Sequence, residues 1–179
     1  MSSRKELARR IYAVSNVKGR FVLRSGVTSE EYFDKYLFES DPILLRQIAQ
    51  EMSQLIPAKV DALAGLEMGG IPLATVLSQF TGLPALFVRK QAKEYGTCKF
   101  AEGGEISGRK LVVIEDVVTS GGQIIESSKA LRILGGEIVG VLCVIDRESG
   151  GKENLSAEGL ALQSVFTMTE LRSAYSGTR

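Results

Sequence analysis

LVVIEDVVTSGGQ, residues 111–123, decides the fold. Four apolar residues with the look of a buried strand run into two adjacent acids, Glu115 and Asp116. Val117 and Val118 follow, and the chain empties into a Thr119-Ser120-Gly121-Gly122 turn that opens a helix at Gln123. Two carboxylates set inside an apolar run are costly to bury without a partner, so a solvated strand end is a poor account of them. The turn offers what a phosphate requires. Its backbone N–H groups and the helix N-terminus supply fixed donors and partial positive charge, and glycines let the backbone come close. Carboxylates just upstream can accept hydrogen bonds from ribose hydroxyls or bind a hydrated metal. This order of parts suits a sugar phosphate. The segment lacks the Gly-Lys-Ser/Thr ending of a nucleotide-triphosphate loop and the spacing of a dinucleotide fingerprint.

Outward from this stretch, strands and helices alternate. Asp41-Pro42 has the form of a helix start, and Ile43, Leu44, Ile48, Met52 and Leu55 follow at helical spacing. Residues 60–66 read as a short strand; Gly69-Gly70 leads into a helix over 71–80, closed by Gly82 and Pro84; and 85–88 is a second short apolar run. The chain then turns polar and glycine-rich over 90–110, a loop length that is usually functional. Downstream, a helix over 123–134 stops at Gly135-Gly136, and strands are expected over 138–145 and 162–168. The alternation implies an α/β fold with a mostly parallel sheet flanked by helices. In such sheets ligands bind beyond the carboxyl ends of the strands, where the motif lies. Without an internal repeat or interdomain linker, residues 1–179 are expected to form a single domain.

Composition narrows the chemistry. With 22 lysines and arginines against 21 acids, the net charge of +1 leaves no electrostatic footprint for nucleic acid or an anionic membrane. The chain has no histidine, which removes the commonest general base and metal ligand. Proton or metal chemistry must then use carboxylates, lysines, tyrosines, water or substrate. Cys98 and Cys143 lack paired spacing and are expected as free thiols. The charged opening, MSSRKELARRIYAV, has no apolar signal core and no apolar run approaches membrane-spanning length, so a cytoplasmic location is expected.

The whole 111–123 string resembles the phosphoribosyl pyrophosphate signature of the type I phosphoribosyltransferases. Four other segments resemble one branch of that family, the orotate phosphoribosyltransferases. GLEMGGIPLA places Glu67, Met68, Gly69 and Gly70 ahead of a helix, a second anion-accepting turn. The resemblance makes it the pyrophosphate loop, with Glu67 and Met68 where some members carry basic or hydroxyl residues. FVRKQAKEYG brings Arg89, Lys90 and Lys93 together at the mouth of the polar loop, where cations can neutralise charge building on a leaving diphosphate. It resembles the family's catalytic loop; Lys93 matches the lysine implicated in catalysis, and Tyr95 stands where many members have histidine. FVLRSGVTSEEYFD carries Arg24, in place of the lysine of many relatives, and the aromatic pair Tyr32 and Phe33. A flat anionic pyrimidine can stack on an aromatic while a cation takes its carboxylate. In VIDRESGG, Arg147 follows a strand, and its guanidinium fork suits a carboxylate or pyrimidine carbonyl.

The resemblance implies a type I phosphoribosyltransferase fold with a small N-terminal hood of about residues 1–40. It implies transfer of the phosphoribosyl group from 5-phosphoribosyl 1-diphosphate to orotate in pyrimidine synthesis, with Mg2+ held mainly by the substrate diphosphate and water. Lys93, Glu115 and Asp116 are the expected catalytic residues. Arg89, Lys90, Lys93, Glu67, Met68, Gly69 and the run from Glu115 through Gln123 are expected on the sugar diphosphate. Arg24, Tyr32, Phe33, Thr119 and Arg147 are expected on orotate. The resemblance further implies a homodimer whose 89–104 loop reaches the neighbouring site. Two alternatives stay open: a phosphoribosyltransferase for a purine or uracil, and a non-catalytic phosphoribosyl-diphosphate sensor that binds RNA or DNA. Near-neutral charge and the lysine-bearing loop weigh against the sensor.

Overall fold

A six-stranded sheet in the order β5-β4-β3-β6-β7-β8 carries the molecule. The computed structural model describes residues 3–22, 26–91 and 99–177, so the expectations placed on Arg24, Lys93, Tyr95 and Cys98 lie outside the described residues. The strands are β3 (Ala62–Leu66), β4 (Ala85–Val88), β5 (Ala101–Glu102), β6 (Lys110–Val118), β7 (Glu137–Asp146) and β8 (Leu162–Thr167). All neighbours pair in parallel except the antiparallel β4 and β5. From β3 the chain crosses through α4 (Gly70–Thr81) to β4 on one side. On the other side β6 leads through α5 (Gly122–Ile133) to β7, and α6 (Gly151–Ala157) leads to β8. The direction of winding reverses between β3 and β6, and a crevice opens beyond their carboxyl ends.

The burial of β6 follows strand alternation. Val112 and Ile114 enter a core layer with Leu44, Ile48, Leu73 and Leu77, while Leu111 and Val113 enter the opposite layer with Ile124 and Leu131. Every residue of β3 is buried, as a strand covered on both faces requires. The helix α3 (Pro42–Ser53) starts where its cap predicts: the Asp41 side chain accepts hydrogen bonds from the Ile43 and Leu44 N–H groups. The helix α4 stops at Gly82, whose φ of +72° is in the left-handed region.

Several expected boundaries are corrected. The strand expected from residue 60 begins at Ala62, because the backbone and carboxylate of Asp61 are engaged with the Lys110 backbone. The last strand ends at Thr167, since Thr167 and Glu170 form a reciprocal capping box that starts α7 (Met168–Ser176) one residue before the expected end. Inside the expected 90–110 loop, β5 adds a two-residue edge strand against Phe87 and Val88.

The N-terminal segment forms a helix, α1 (Arg4–Ser15), then an antiparallel hairpin of β1 (Asn16–Val22) and β2 (Thr28–Phe33), then the short α2 (Tyr36–Ser40). Leu7, Ala8, Ile11, Tyr12 and Ser15 form the buried face of α1. That face packs on α7, which ties the hairpin to the sheet.

Candidate active site

The turn after β6 is a formed cup. Gly121 sits at φ +79° as the cap of α5, a conformation that a side chain rarely adopts, and a Cβ there would press on Leu155 Cγ at 3.0 Å. At Gly122 a Cβ would meet only Ser120 Oγ, at 3.9 Å, so the space above it is open. The helix α6 braces the cup: Asn154 Nδ2 donates to the Ser120 carbonyl at 3.0 Å, and a Cβ at Gly151 would sit 2.6 Å from the Thr119 carbonyl. The first N–H groups of α5 have no acceptor within the helix and face a hollow of about 210 Å³. Glu115, Thr119, Ser120, Gly122 and Gln123 are on its wall. Val118 is buried and Val117 packs against the core, so both valines offer backbone rather than side-chain contacts.

Successive strand residues point to opposite faces, and the two acids accordingly part company. Glu115 lies on the wall of the cup with Oε1 accepting from the Asp116 N–H at 3.0 Å. Burial raises its carboxyl well above the usual range, and the charge of Asp116 adds to the effect. Asp116 points the other way and has no exposed surface. Its Oδ1 accepts from the Val117 N–H, and its Oδ2 lies 2.6 Å from Lys35 Nζ. Burial acts to raise Asp116, but its close contacts with Glu115, Glu39 and the Lys35 ammonium outweigh it and hold the carboxyl low. Beside it Glu39 is pushed up to about 8, first by burial and then by its contact with Asp116. The shift favours the protonated form of Glu39 beside the ionised Asp116.

The loop after β3 closes this side. A Cβ at Gly69 would lie 1.7 Å from Asp116 Oδ2 and 2.7 Å from Glu39 Oε1, so only glycine admits the carboxylates. Glu67 Oε2 accepts from the Lys90 N–H at 3.1 Å, which joins the loop to the chain after β4. The Glu67–Met68 peptide is cis, and the Met68 side chain is exposed. Arg89 donates its backbone N–H to Phe100 at 2.9 Å, and its Nε is buried without a hydrogen-bond partner among the described residues.

Arg147, Tyr32 and Phe33 meet around a second hollow of about 190 Å³, joined by Asn16, Glu31 and Arg172. The Arg147 guanidinium lies 5.9 Å from the centre of the Phe33 ring, while the Arg147 backbone N–H donates to the Val118 carbonyl at 2.9 Å. The aromatic pair divides. Phe33 packs on the core and against Tyr12, while Tyr32 is half exposed and lies against Phe21. Among the described residues, no group of three or more Cys, Asp or Glu side chains is gathered to hold a metal ion.

A family model described as the phosphoribosyl transferase domain matches residues 40–160. An orotate phosphoribosyltransferase of Nocardioides sp. is 52% identical over 168 residues, covering 94% of both chains. The chain belongs to the orotate phosphoribosyltransferases. The enzyme of that name from Halobacterium salinarum is 40% identical over 97% of this chain and 99% of its own. A crystal structure of the Mycobacterium tuberculosis H37Rv orotate phosphoribosyltransferase in complex with 5-phospho-alpha-D-ribosyl 1-diphosphate superposes with a TM-score of 0.83. It is 32% identical and covers 96% of this chain and 99% of that one.

The site residues expected from the sequence fall at one edge of the sheet, with Lys93 and Arg24 outside the described residues. Lys35, Glu39, Asn16 and Arg172 were not expected there. Lys35 and Glu39 are spaced i,i+4, a signal ordinarily read as a solvated helix pair; their inward direction comes from the hood's position over β6.

Proposed function

We propose that this chain transfers the 5-phosphoribosyl group from 5-phosphoribosyl 1-diphosphate to orotate, forming orotidine 5'-monophosphate and diphosphate in de novo pyrimidine synthesis. The observation that carries this reading is the juxtaposition at one sheet edge of the braced cup, the paired acids of β6 and the hollow shared by Arg147, Tyr32 and Phe33. The cup of Thr119, Ser120, Gly121, Gly122 and Gln123 anchors the 5-phosphate through backbone N–H groups and the α5 terminus. Glu115 and Asp116 hold the ribose hydroxyls. Glu67, Met68 and Gly69 form the diphosphate loop, with Arg89, Lys90 and Lys93 supplying positive charge. Arg147 and Arg24 take the anionic base, which lies against Tyr32 and Phe33, and Thr119 faces both substrates.

Breaking the bond between ribose C1 and the diphosphate oxygen leaves positive charge on the sugar and sends the electron pair to the leaving group. A ring nitrogen of orotate then bonds to C1, and the proton it carried passes to the departing diphosphate or to water. Catalysis is chiefly positional and electrostatic, since the ring is already acidic. The substrate diphosphate and water would hold Mg2+, which when bound would offset the charge of the leaving group. In this reading residues 1–179 work as a single domain with residues 1–40 as its hood. The chain acts in the cytoplasm as a homodimer whose 89–104 loop serves the neighbouring site. Among the described residues, no helix is long and apolar enough to cross a membrane.

Orotate-dependent diphosphate release tests the assignment. Asp116→Asn is expected to lower kcat/KM for the sugar diphosphate about a hundredfold with the fold intact, the scale of a lost charge-assisted hydrogen bond. Arg147→Ala is expected to weaken orotate about tenfold and leave the sugar diphosphate unchanged. Diphosphate release that favours adenine or uracil over orotate would overturn the substrate, and wild-type kinetics in Asp116→Asn would overturn the ribose site.

A further inference from the structure

Asp116 is assigned to a ribose hydroxyl, yet it has no exposed surface. Something must leave before a ligand can reach Oδ2. Three groups crowd that oxygen: the Lys35 ammonium at 2.6 Å, the buried Glu39 carboxyl, and the backbone of Gly69. Gly69 is fixed in a tight turn at the start of α4, and Glu39 lies in α2 with its carboxyl enclosed. The Lys35 side chain is different, because a third of its surface, 34%, is exposed and its four-carbon stem is flexible. Its contact with Oδ2 is short but not directed as a hydrogen bond, and Oδ2 has no well-aligned donor. Of the three, the lysine is the group whose stem reaches solvent and can rotate away.

We propose that Lys35 is a substrate-binding residue that caps Asp116 in the empty site and exchanges that carboxylate for the diphosphate of the incoming sugar diphosphate. As the ribose hydroxyl donates to Asp116 Oδ2, the ammonium turns outward to an anionic oxygen. The diphosphate is the nearer of the two anionic ends, because Oδ2 abuts Gly69 of the 67–69 loop whereas the cup for the 5-phosphate lies on the Glu115 side of β6. Lys35 keeps an anionic partner throughout, and Asp116 exchanges the ammonium for a hydroxyl donor. The exchange couples the hood, which carries Lys35, to occupation of the diphosphate loop.

The proposal rests on the ribose assignment of Asp116, so its test uses probes that separate the two. Inorganic diphosphate with Mg2+ and ribose 5-phosphate are titrated calorimetrically into wild type, Lys35→Met, Lys35→Arg and Asp116→Asn. Lys35→Met should weaken diphosphate about tenfold, the scale of a lost charge-assisted contact, with Lys35→Arg restoring most of the affinity. Ribose 5-phosphate should bind Lys35→Met no more weakly than wild type, since its cap is gone. Unchanged or tighter diphosphate binding in Lys35→Met would overturn the exchange and leave Lys35 as a fixed partner of a buried carboxylate. Unchanged ribose 5-phosphate binding in Asp116→Asn would instead overturn the ribose assignment. If Lys35→Met is too unstable to titrate, the Lys35→Met/Asp116→Asn double variant leaves no buried charge unpaired. Relative to Asp116→Asn alone it should bind diphosphate about tenfold more weakly, and equal binding would overturn the exchange.

Discussion

The turn after β6 and the loop after β3 both place a glycine pair ahead of a helix at the same edge of the sheet, yet their glycines answer different demands. Gly121 is required by its backbone conformation and Gly122 stands under open space. Gly69 and Gly70 have no positive φ among them; they are required because other atoms fill the volume a side chain would take. A Cβ at Gly70 would lie 2.2 Å from the Ile114 carbonyl, and one at Gly69 would overlap Asp116. One pair keeps room for a ligand. The other lets the chain press against the acids that the ligand must reach. A glycine-rich turn before a helix is thus two devices, and the surrounding packing decides which.

The largest expected effect separates them. Gly69→Ala should destabilise the fold by about 3 kcal/mol and abolish most turnover, because its added carbon collides with a carboxylate held by Lys35 and Glu39 rather than with a free side chain. Denaturant unfolding and diphosphate release measure the two consequences. A Gly69→Ala protein with wild-type stability and rate would break the distinction drawn between the loops.

Gly122→Ala sharpens it from the other side. With nothing nearer than 3.9 Å, the added methyl should leave stability within about 0.5 kcal/mol of wild type, while its intrusion on the cup weakens ribose 5-phosphate about tenfold. Equal losses in stability for Gly122→Ala and Gly69→Ala would mean that the cup is packed as tightly as the loop.

The two regions also differ in how far the sequence revealed them. The cup is written locally: an apolar strand, a turn and a helix start lie in thirteen consecutive residues, 111–123, and their periodicity and glycines suffice to place them. The parallel sheet was legible for the same reason, since β3 and β4 are continuous apolar runs and β6 and β7 are mostly apolar. The packing around Gly69 is written across distance. Lys35 and Glu39 precede Gly69 by some thirty residues and Asp116 follows it by more than forty, so no local pattern announces their meeting. The hairpin β1–β2 escaped notice because its burial alternates weakly, with most of its positions exposed. The α1 stripe of Leu7, Ala8, Ile11 and Tyr12 was readable, but the charged residues between them masked it.

The smallest expected effect concerns the proton that this packing traps. Burial and the nearby Asp116 raise Glu39 from its ordinary 4.5 to about 8, with Asp34 adding to the shift and Lys35 opposing it. Between those values the folded protein holds a proton that the unfolded chain has released. Stability therefore falls as pH rises from about 4.5 to about 8, the sign expected of a carboxyl raised on folding. Glu115, also raised by burial, contributes a slope of the same sign on the cup side of β6. Glu39→Gln keeps an uncharged polar group beside Asp116 and removes one of the two titrations. Its unfolding free energy should decline less steeply than that of wild type across this window, with Lys35 still paired to Asp116. Denaturant unfolding at several pH values reads the slopes directly. If wild type and Glu39→Gln run parallel from pH 4.5 to 8, Glu39 is ionised in the folded protein, and the crowding around Gly69 is relieved by some group other than a shared proton.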